Sequence, residues 1–422
     1  MRIPLHHPAE KIFFVGPALL ATIIYIGFTS VQYVAAYLSE KSDLSSRQLA
    51  ARLEPGNAEY RYRIGRYFAL ALQSPEAVEN YRAALALNSH HSDYWLGLAT
   101  AYKVLGDQTA QQAALEHAIS VDPTTPDVAW QAANLYLSNG NTTRAIQEFR
   151  VVLQNDSYRM PSALELCWRA EPDVELLLRN VIPPTISVYS SFLELLISKK
   201  ELAAAATVWG RSVELQQPVE TRYVFEYVKV LVDQGDVAQA RKVWQQAAHL
   251  SDLTSYQSSP ENLVINGEFS LPLLNAGFDW QYEKRPTISL SLDPMQSHLG
   301  PHSLRISFEG GPVDSAGIRQ LIPAEPNTNY DFSAYFKAES VEGAGGPQFA
   351  INDFYSGSTY FTSEELKNSD VWKQVSGSFT TRPDAKLLTI TIRKIPPDTA
   401  VRGKLWIDGV RLAQTAHIGH GL

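Results

Sequence analysis

Residues in the first half of this chain recur at a spacing of 34. Ile64 returns as Leu98, Tyr81 as Leu115, Ala84 as Ala118, Tyr102 as Tyr136 and Leu115 as Phe149. Ala77, Trp95, Pro123 and Ala145 belong to the same echo, which begins near Ala58. A fixed period of this length means stacked helix pairs, because one pair cannot bury its apolar face alone. Such arrays build extended binding surfaces rather than catalytic pockets.

Each unit reads as two helices. DYWLGLATAYKVLG is a first helix and TAQQAALEHAISV a second; Gly106-Asp107 turns the chain between them and Asp122-Pro123 closes the unit. Trp95, Leu98 and Tyr102 fall on one helical face. Ala77, Ala84, Ala118 and Ala145 are small enough to let paired helices approach. Three copies occupy 58–91, 92–125 and 126–159. Residues 160–185 keep a short helical pair without the small residues, and Pro183-Pro184 breaks the chain. The pattern returns with Tyr189, Phe192, Leu196, Ala205 and Trp209, and again with Tyr227, Leu231, Ala240, Trp244 and Ala247.

These residues, at this period, resemble the tetratricopeptide repeat over 58–254, degenerate at 160–185. The resemblance implies a protein-binding groove lined by the first helix of each unit. Its positions map onto Tyr62, Arg66, Thr100, Lys103, Trp130, Asn134, Glu194, Arg222 and Lys229. Trp130 is the sharpest, since an aromatic off the packing face can anchor an interface. The plainer reading makes these residues solvated helix positions, with Trp130 touching a neighbouring repeat.

Upstream, the 28 residues from Ile12 to Ser39 carry no charge. A spanning helix needs about 20 mostly apolar residues, so 12–37 is expected to be a transmembrane helix after a short cytoplasmic N-terminus, 1–11. A cleaved signal peptide is the competing reading, with Val34-Ala35-Ala36 as the small-residue site; the apolar run exceeds the roughly 7–15 residues of such cores. Residues 38–57 form a charged linker or helix. The charge pattern places the N-terminus in the cytoplasm and the remainder outside a bacterial inner membrane, in the periplasm or beyond.

The helical period stops near 255. SYQSSP, 255–260, reads as a linker, and from 261 to 415 the pattern alternates with period two, leaving 416–422 as a tail. Leu304, Ile306 and Phe308 share one face, as do Phe332, Ala334 and Phe336, and Leu388, Ile390 and Ile392. Eight or nine such strands make an all-β sandwich. The phrases NLVINGEFS, GFDWQ, GIRQLIPAEPNTNYDFSAYFKAE, WKQVSGSFT and KLWIDGVRL resemble the jelly-roll carbohydrate-binding modules of the family 4/9 type, a galactose-binding-like branch. Sugar recognition there would use aromatic faces and planar polar groups. Candidates are Trp280, Tyr282, Arg319, Tyr335, Asn352, Tyr355 and Tyr360, with NDFYSGSTYF (352–361) the first place to look. Trp372 and Trp406 read as core. The resemblance also implies a structural calcium at Glu268 and Asp408; Ser270 departs from the usual acidic residue, and a simple turn cap is the other reading of Asp408.

The formal net charge is −8, which argues against a nucleic-acid binder. Cys167 is the only cysteine, so no internal disulfide can form. There is no HExxH, no phosphate-cradling glycine loop with Lys and no G-x-S-x-G elbow. His298 and His302 are separated by Gly300-Pro301 and read as loop residues, and His417 and His420 lie in the tail. Together these features lead to a non-enzymatic, membrane-anchored scaffold with a protein partner on its repeats and a polysaccharide on its sandwich, in bacterial envelope or exopolysaccharide assembly. A purely structural adaptor without a sugar site is the alternative.

Overall fold

A computed structural model describes residues 8–415, with side chains from Val15 onward. The expected tail, 416–422, with His417 and His420, and most of the expected N-terminal segment lie outside the described residues. The chain divides into two compact units, Met1–Pro184 and Thr185–Leu422. The division falls among the helices, not at the 255–260 linker that the sequence suggested.

The first unit opens with α1 (Pro8–Ser39), which runs through Pro17 near its start. Val15–Ser39 has a mean hydropathy of 1.6 and is long and apolar enough to cross a membrane. Thr22 and Ser30 donate their hydroxyls to carbonyls four residues back, at 2.8 and 2.7 Å, which leaves few unmet polar groups on this helix. Its last turns are packed. Ala35 joins a cluster with Ala50, Ala51, Tyr60 and Ile64 from α2 (Leu44–Leu53) and α3 (Ala58–Leu70). Arg63 also donates to Ser39 Oγ at 3.1 Å.

The repeats continue as α4 (Ser74–Leu87), α5 (Ser92–Leu105), α6 (Gln108–Val121), α7 (Pro126–Ser138) and α8 (Thr142–Asn155). The short pair α9 (Met160–Ala170) and α10 (Val174–Asn180) closes the unit. Local chemistry sets the ends. Asp107, Asn141 and Asp173 each accept a backbone N–H two residues inside the helix they cap, and Gly106 ends α5 at φ +76. Two glycines set the helix spacing. A Cβ on Gly65 or Gly97 would come within 2.8 or 2.9 Å of the Tyr81 ring, which the two backbones hold between them. Leu98 and Tyr102 are buried as the period requires. Trp95 is not; it stacks on His117 at 4.5 Å and donates Nε1 to Ser89 O. Cys167 is buried, and burial pushes its thiol up to about 12.

The second unit begins with two further pairs, α11 (Ile186–Ser198) with α12 (Leu202–Glu214), then α13 (Thr221–Asp233) with α14 (Val237–Leu250). Ten strands follow: β1 (Gln281–Tyr282), β2 (Ile288–Asp293), β3 (Ser303–Val313), β4 (Ser315–Pro323), β5 (Asn329–Gly343), β6 (Gly346–Asp353), β7 (Thr359–Thr362), β8 (Ser369–Thr380), β9 (Leu387–Ile395) and β10 (Thr399–Gln414). They form two antiparallel sheets, β1-β4-β9-β6-β7 and β2-β3-β10-β5-β8. The alternating apolar residues meet between them: Ile306, Phe332, Phe336, Leu388 and Ile390 are each at most 1% exposed. Burying such side chains is worth about 1.5–3 kcal/mol apiece, which fixes each strand's register.

The expected 255–260 linker is a strap pinned at Tyr256, with Ser255, Ser258, Ser259 and Pro260 exposed. Tyr256 is buried; its carbonyl accepts from Trp244 Nε1 at 2.8 Å and its hydroxyl donates to Pro272 O at 2.9 Å. Gly277 has φ +59, and a Cβ there would lie 2.0 Å from the Trp244 ring. Phe278 meets the same ring edge-on at 5.8 Å. The last helix and the sandwich of this unit therefore share a closely fitted seam.

Candidate glycan-binding and protein-binding faces

The outward face of β2-β3-β10-β5-β8 carries an ordered row of side chains. Cross-strand register sets Ser291 opposite Arg305, Arg305 opposite Trp406 and Trp406 opposite Lys337. Tyr335 lies opposite Asp408 on one side and Gln374 on the other. Trp406 Nε1 donates to Asp293 Oδ2 at 2.9 Å, which holds the Asp293 carboxyl below its ordinary range. Arg305 Nη1 stands 3.5 Å from the same oxygen.

The loop 294–302 folds onto this face because Asp408 anchors it. Oδ2 accepts from the His298 and Leu299 amides at 2.7 Å each, and Oδ1 accepts from Gly409 N at 2.7 Å. Burial pushes the Asp408 carboxyl up, and these three donors pull it back only in part. The anchored loop sets the exposed His298 ring 4.0 Å from Tyr335 and 5.5 Å from Trp372, while Gln296 accepts from Lys337 Nζ at 2.8 Å. Three aromatic rings edged by Lys337, Gln374 and Arg305 make a platform for the apolar face of a sugar, with donors and acceptors for its hydroxyls.

The other sugar candidates separate. Trp280 is 2% exposed and lies against Phe269 in the sandwich core, so it offers no face to a ligand. Tyr282 and Arg319 come together on the opposite sheet, in a cleft of ≈ 330 Å³ with Gln281 and Arg285, where Arg319 Nε donates to Gln281 Oε1 at 3.2 Å. Side chains of the stretch 352–361 make internal hydrogen bonds, while Tyr355 stays 43% exposed. Asn352 is 4% exposed and donates to Thr359 Oγ1 at 2.8 Å. Tyr355 donates to Val232 O at 2.7 Å. Tyr360 stacks on Phe379 and donates to Asp353 Oδ2 at 3.4 Å. Of the named candidates only Tyr335 lies on the ring platform.

The sequence reading missed His298, Trp372 and Lys337. Trp372 was expected in the core, yet it is half-buried on the outward side of β8. Strict alternation with the buried Val375 and Phe379 puts Trp372 on the outward face beside Gln374, so its size and not its parity suggested the core. Trp406 is buried as expected, but beneath the outer row rather than between the sheets.

For calcium, the NGEF turn and the same loop meet. A Cβ placed on Gly300 would find Ser270 Oγ at 2.7 Å, Glu268 O at 3.6 Å and Glu268 Oε2 at 3.7 Å. Such oxygen donors suit Ca²⁺, and they converge beside the loop that Asp408 holds. Asp408 itself is a loop anchor, its oxygens already taking three N–H donors. Among the described residues no group of three or more His, Cys, Asp or Glu could hold a metal.

In the first unit the expected groove residues share one run of helices. Tyr62 is half-buried, 4.8 Å from the Tyr94 ring, with the exposed Arg66 guanidinium 5.9 Å above it. Thr100 is exposed but donates back to Leu96 O, and Lys103 reaches Ser138 Oγ at 2.6 Å, tying α5 to α7. Trp130 sits edge-on to Phe149 at 5.6 Å with Arg159 over its ring, and Arg159 pairs with Asp127 at 2.7 Å. Asn134 donates to Trp130 O. Trp130 is thus a half-buried contact between the two helices of the third repeat, α7 and α8. In the second unit Glu194, Arg222 and Lys229 are exposed, and Arg222 pairs with Glu220 at 2.9 Å.

The carbohydrate binding domain family matches residues 261–399, and the tetratricopeptide repeat family matches 92–125. The chain therefore carries a tetratricopeptide-type helical region followed by a carbohydrate-binding-type sandwich. Neither is a catalytic type. Among solved structures, a CBM4 module is similar at 16% identity, covering 36% of this chain and 99% of its own, with a TM-score of 0.28. MamA is similar at 17% identity, covering 40% and 84%, with a TM-score of 0.24. The CBM22-1 xylan-binding domain from Paenibacillus barcinonensis Xyn10C is similar at 14%, covering 35% and 91%, with a TM-score of 0.26. No curated protein matches the chain.

Proposed function

We propose that this protein is a membrane-anchored, non-catalytic scaffold that holds a polysaccharide on its sandwich and a protein partner on its repeats. The observation that carries the sugar reading is the ring platform of Tyr335, His298 and Trp372, set on the outward face of β5 and β8 by the Asp408-anchored loop. The family match over 261–399 supports the same ligand class. A cluster of mutually tilted rings on an exposed sheet face suits a polymer that can run on past the protein in both directions. The apolar, exposed Val15–Ser39 segment supports anchoring, and the burial of Ala35 and Ser39 supports an uncleaved anchor over a removed signal. The repeats and sandwich would then lie outside a bacterial inner membrane, where envelope or exopolysaccharide assembly supplies both a glycan and a protein machine.

The test is a glycan array and affinity electrophoresis on the full chain in detergent. Binding should fall at least about tenfold in Tyr335→Ala and Trp372→Ala, because stacked aromatic anchors dominate such contacts. An adaptor without a sugar site is the second reading, favoured by the Tyr355 contact to Val232, which shows sandwich aromatics serving protein packing. A blank array would leave that reading.

A further inference from the structure

The seam between the last helix and the sandwich of the second unit is not closed along its whole length. A cleft of ≈ 320 Å³ opens there, floored by Phe278 and Leu321 and edged by Gln245, Gln257 and Gln414. A second cleft of ≈ 490 Å³ continues past it, along the start of α14 and the loops at 323–326 and 383–386. Both are lined by Arg241, Pro323 and Glu325, so they meet there as one groove. Arg241 and Glu325 face each other at the meeting point, 3.7 Å apart.

The lining chemistry narrows the ligand. The three glutamines are neutral and offer both donors and acceptors. Gln257 and Gln414 use only their amide nitrogens, on Leu253 O and Tyr330 Oη, which leaves their carbonyl oxygens to accept. Along the two clefts Arg241 and Lys386 stand against Glu325, Asp236 and Asp384, so charges of both signs nearly balance and the groove strongly favours neither anion nor cation. A ring face resting on an apolar floor, with amides at its rim, is the pattern that takes an uncharged polyhydroxyl ligand. The walls are preformed, because Trp244 is locked between Gly277 and the Tyr256 carbonyl. A single enclosed pocket would take one small molecule; a groove open at the second cleft takes several linked units.

We infer that this groove is a second glycan site, selective for a neutral oligosaccharide segment and separate from the ring platform. The inference rests on the proposed function in its ligand class but uses none of the same residues. It gives the chain two points of attachment, so a polymer held at both would bind more tightly than either site alone, by effective concentration.

Calorimetric titration of the full chain in detergent, with neutral β-linked hexasaccharides of glucose, xylose and mannose, tests it. The expected result is two sites per chain for at least one probe. Tyr335→Ala with Trp372→Ala should leave one site, and adding Gln257→Ala with Gln414→Ala should weaken that remaining site at least tenfold. Gln245→Arg, an exposed helix-surface change that fills the groove, should do the same without altering the melting temperature. One site, abolished by the platform variants and untouched by the groove variants, overturns the second site and leaves the proposed function standing. No binding to any probe by the parent chain overturns both. One site, lost only in the groove variants, supports the groove and removes the platform.

Discussion

The Tyr355 hydroxyl donates to the Val232 main-chain carbonyl at 2.7 Å, joining the β6–β7 turn to the end of α13 across 123 residues of chain. Burial pushes the Tyr355 hydroxyl's ionisation upward, with Asp233, Asp353 and Asp236 adding to it. This residue is a strut between helix and sandwich within the second unit. Tyr355→Phe keeps the ring and removes only the donor. It should lower unfolding free energy by about 1 kcal/mol, measured by chemical denaturation, because one net hydrogen bond is lost. Glycan affinity should not change. A tenfold loss of affinity with unchanged stability would return Tyr355 to the sugar site.

Asp279 gives a pH signature. It is fully buried beside Trp280, and burial raises its carboxyl from 3.8 to about 6, although Oδ2 accepts from Leu274 N. Its Oδ1 is buried without a partner. The folded pKa lies above the unfolded one, so the folded state holds the proton more tightly between them. The contribution is present in full below 3.8 and is lost as pH rises through about 6. Melts from pH 4 to 7 should show this decline. Asp279→Asn should flatten it and be the more stable protein at pH 7, where the parent carries a buried, half-satisfied charge. A parent chain whose stability climbs steadily over that range would contradict the assignment.

Much of the fold was legible in the sequence because its signals are local and repeated. The 34-residue spacing reports helix pairs directly, since Tyr81, Leu115 and Phe149 fill the same buried position in successive units. The strands report through alternation, and Ile306, Phe332 and Ile390 fall where parity puts them. The candidate sugar site was far less legible. Tyr355 and Tyr360 have the composition of a binding stretch, but only tertiary contact reveals that the Tyr355 hydroxyl is bonded to Val232 and the Tyr360 ring is stacked on Phe379. His298 was invisible for the opposite reason. Its position is set by Asp408, 110 residues away, and no spacing rule links the two. The strap at Tyr256 was lost similarly, because SYQSSP has linker composition and its burial depends on Trp244.

Calcium removal should act through the NGEF turn. Glu268 O, Glu268 Oε2 and Ser270 Oγ converge beside Gly300, and a hard cation there would bind the turn to the loop that carries His298. Added calcium should raise the melting temperature of the full chain, by the mass action of a ligand that binds only the folded state. A chelator should reverse the rise. Glu268→Gln should abolish the calcium response while leaving the chelated melting temperature unchanged, since Glu268 is exposed and its loss opens no core. An identical melt with calcium and with chelator would remove the ion from this protein.

Ala35 has no exposed surface and packs with Ala50, Ala51, Tyr60 and Ile64. Cleavage after Ala36 would strip that residue from the cluster and leave Tyr60 and Ile64 with an open flank. It would also remove all but three residues of Val15–Ser39, the segment long and apolar enough to cross a membrane. The intact mass of protein extracted from membranes should therefore include residues before Tyr37. Ala35→Leu should keep the helix apolar and membrane-bound but overpack the cluster, lowering stability by about 1–3 kcal/mol. Recovery of a soluble chain beginning at Tyr37, with the same melting temperature in the parent and in Ala35→Leu, would show that this helix is a signal and not an anchor.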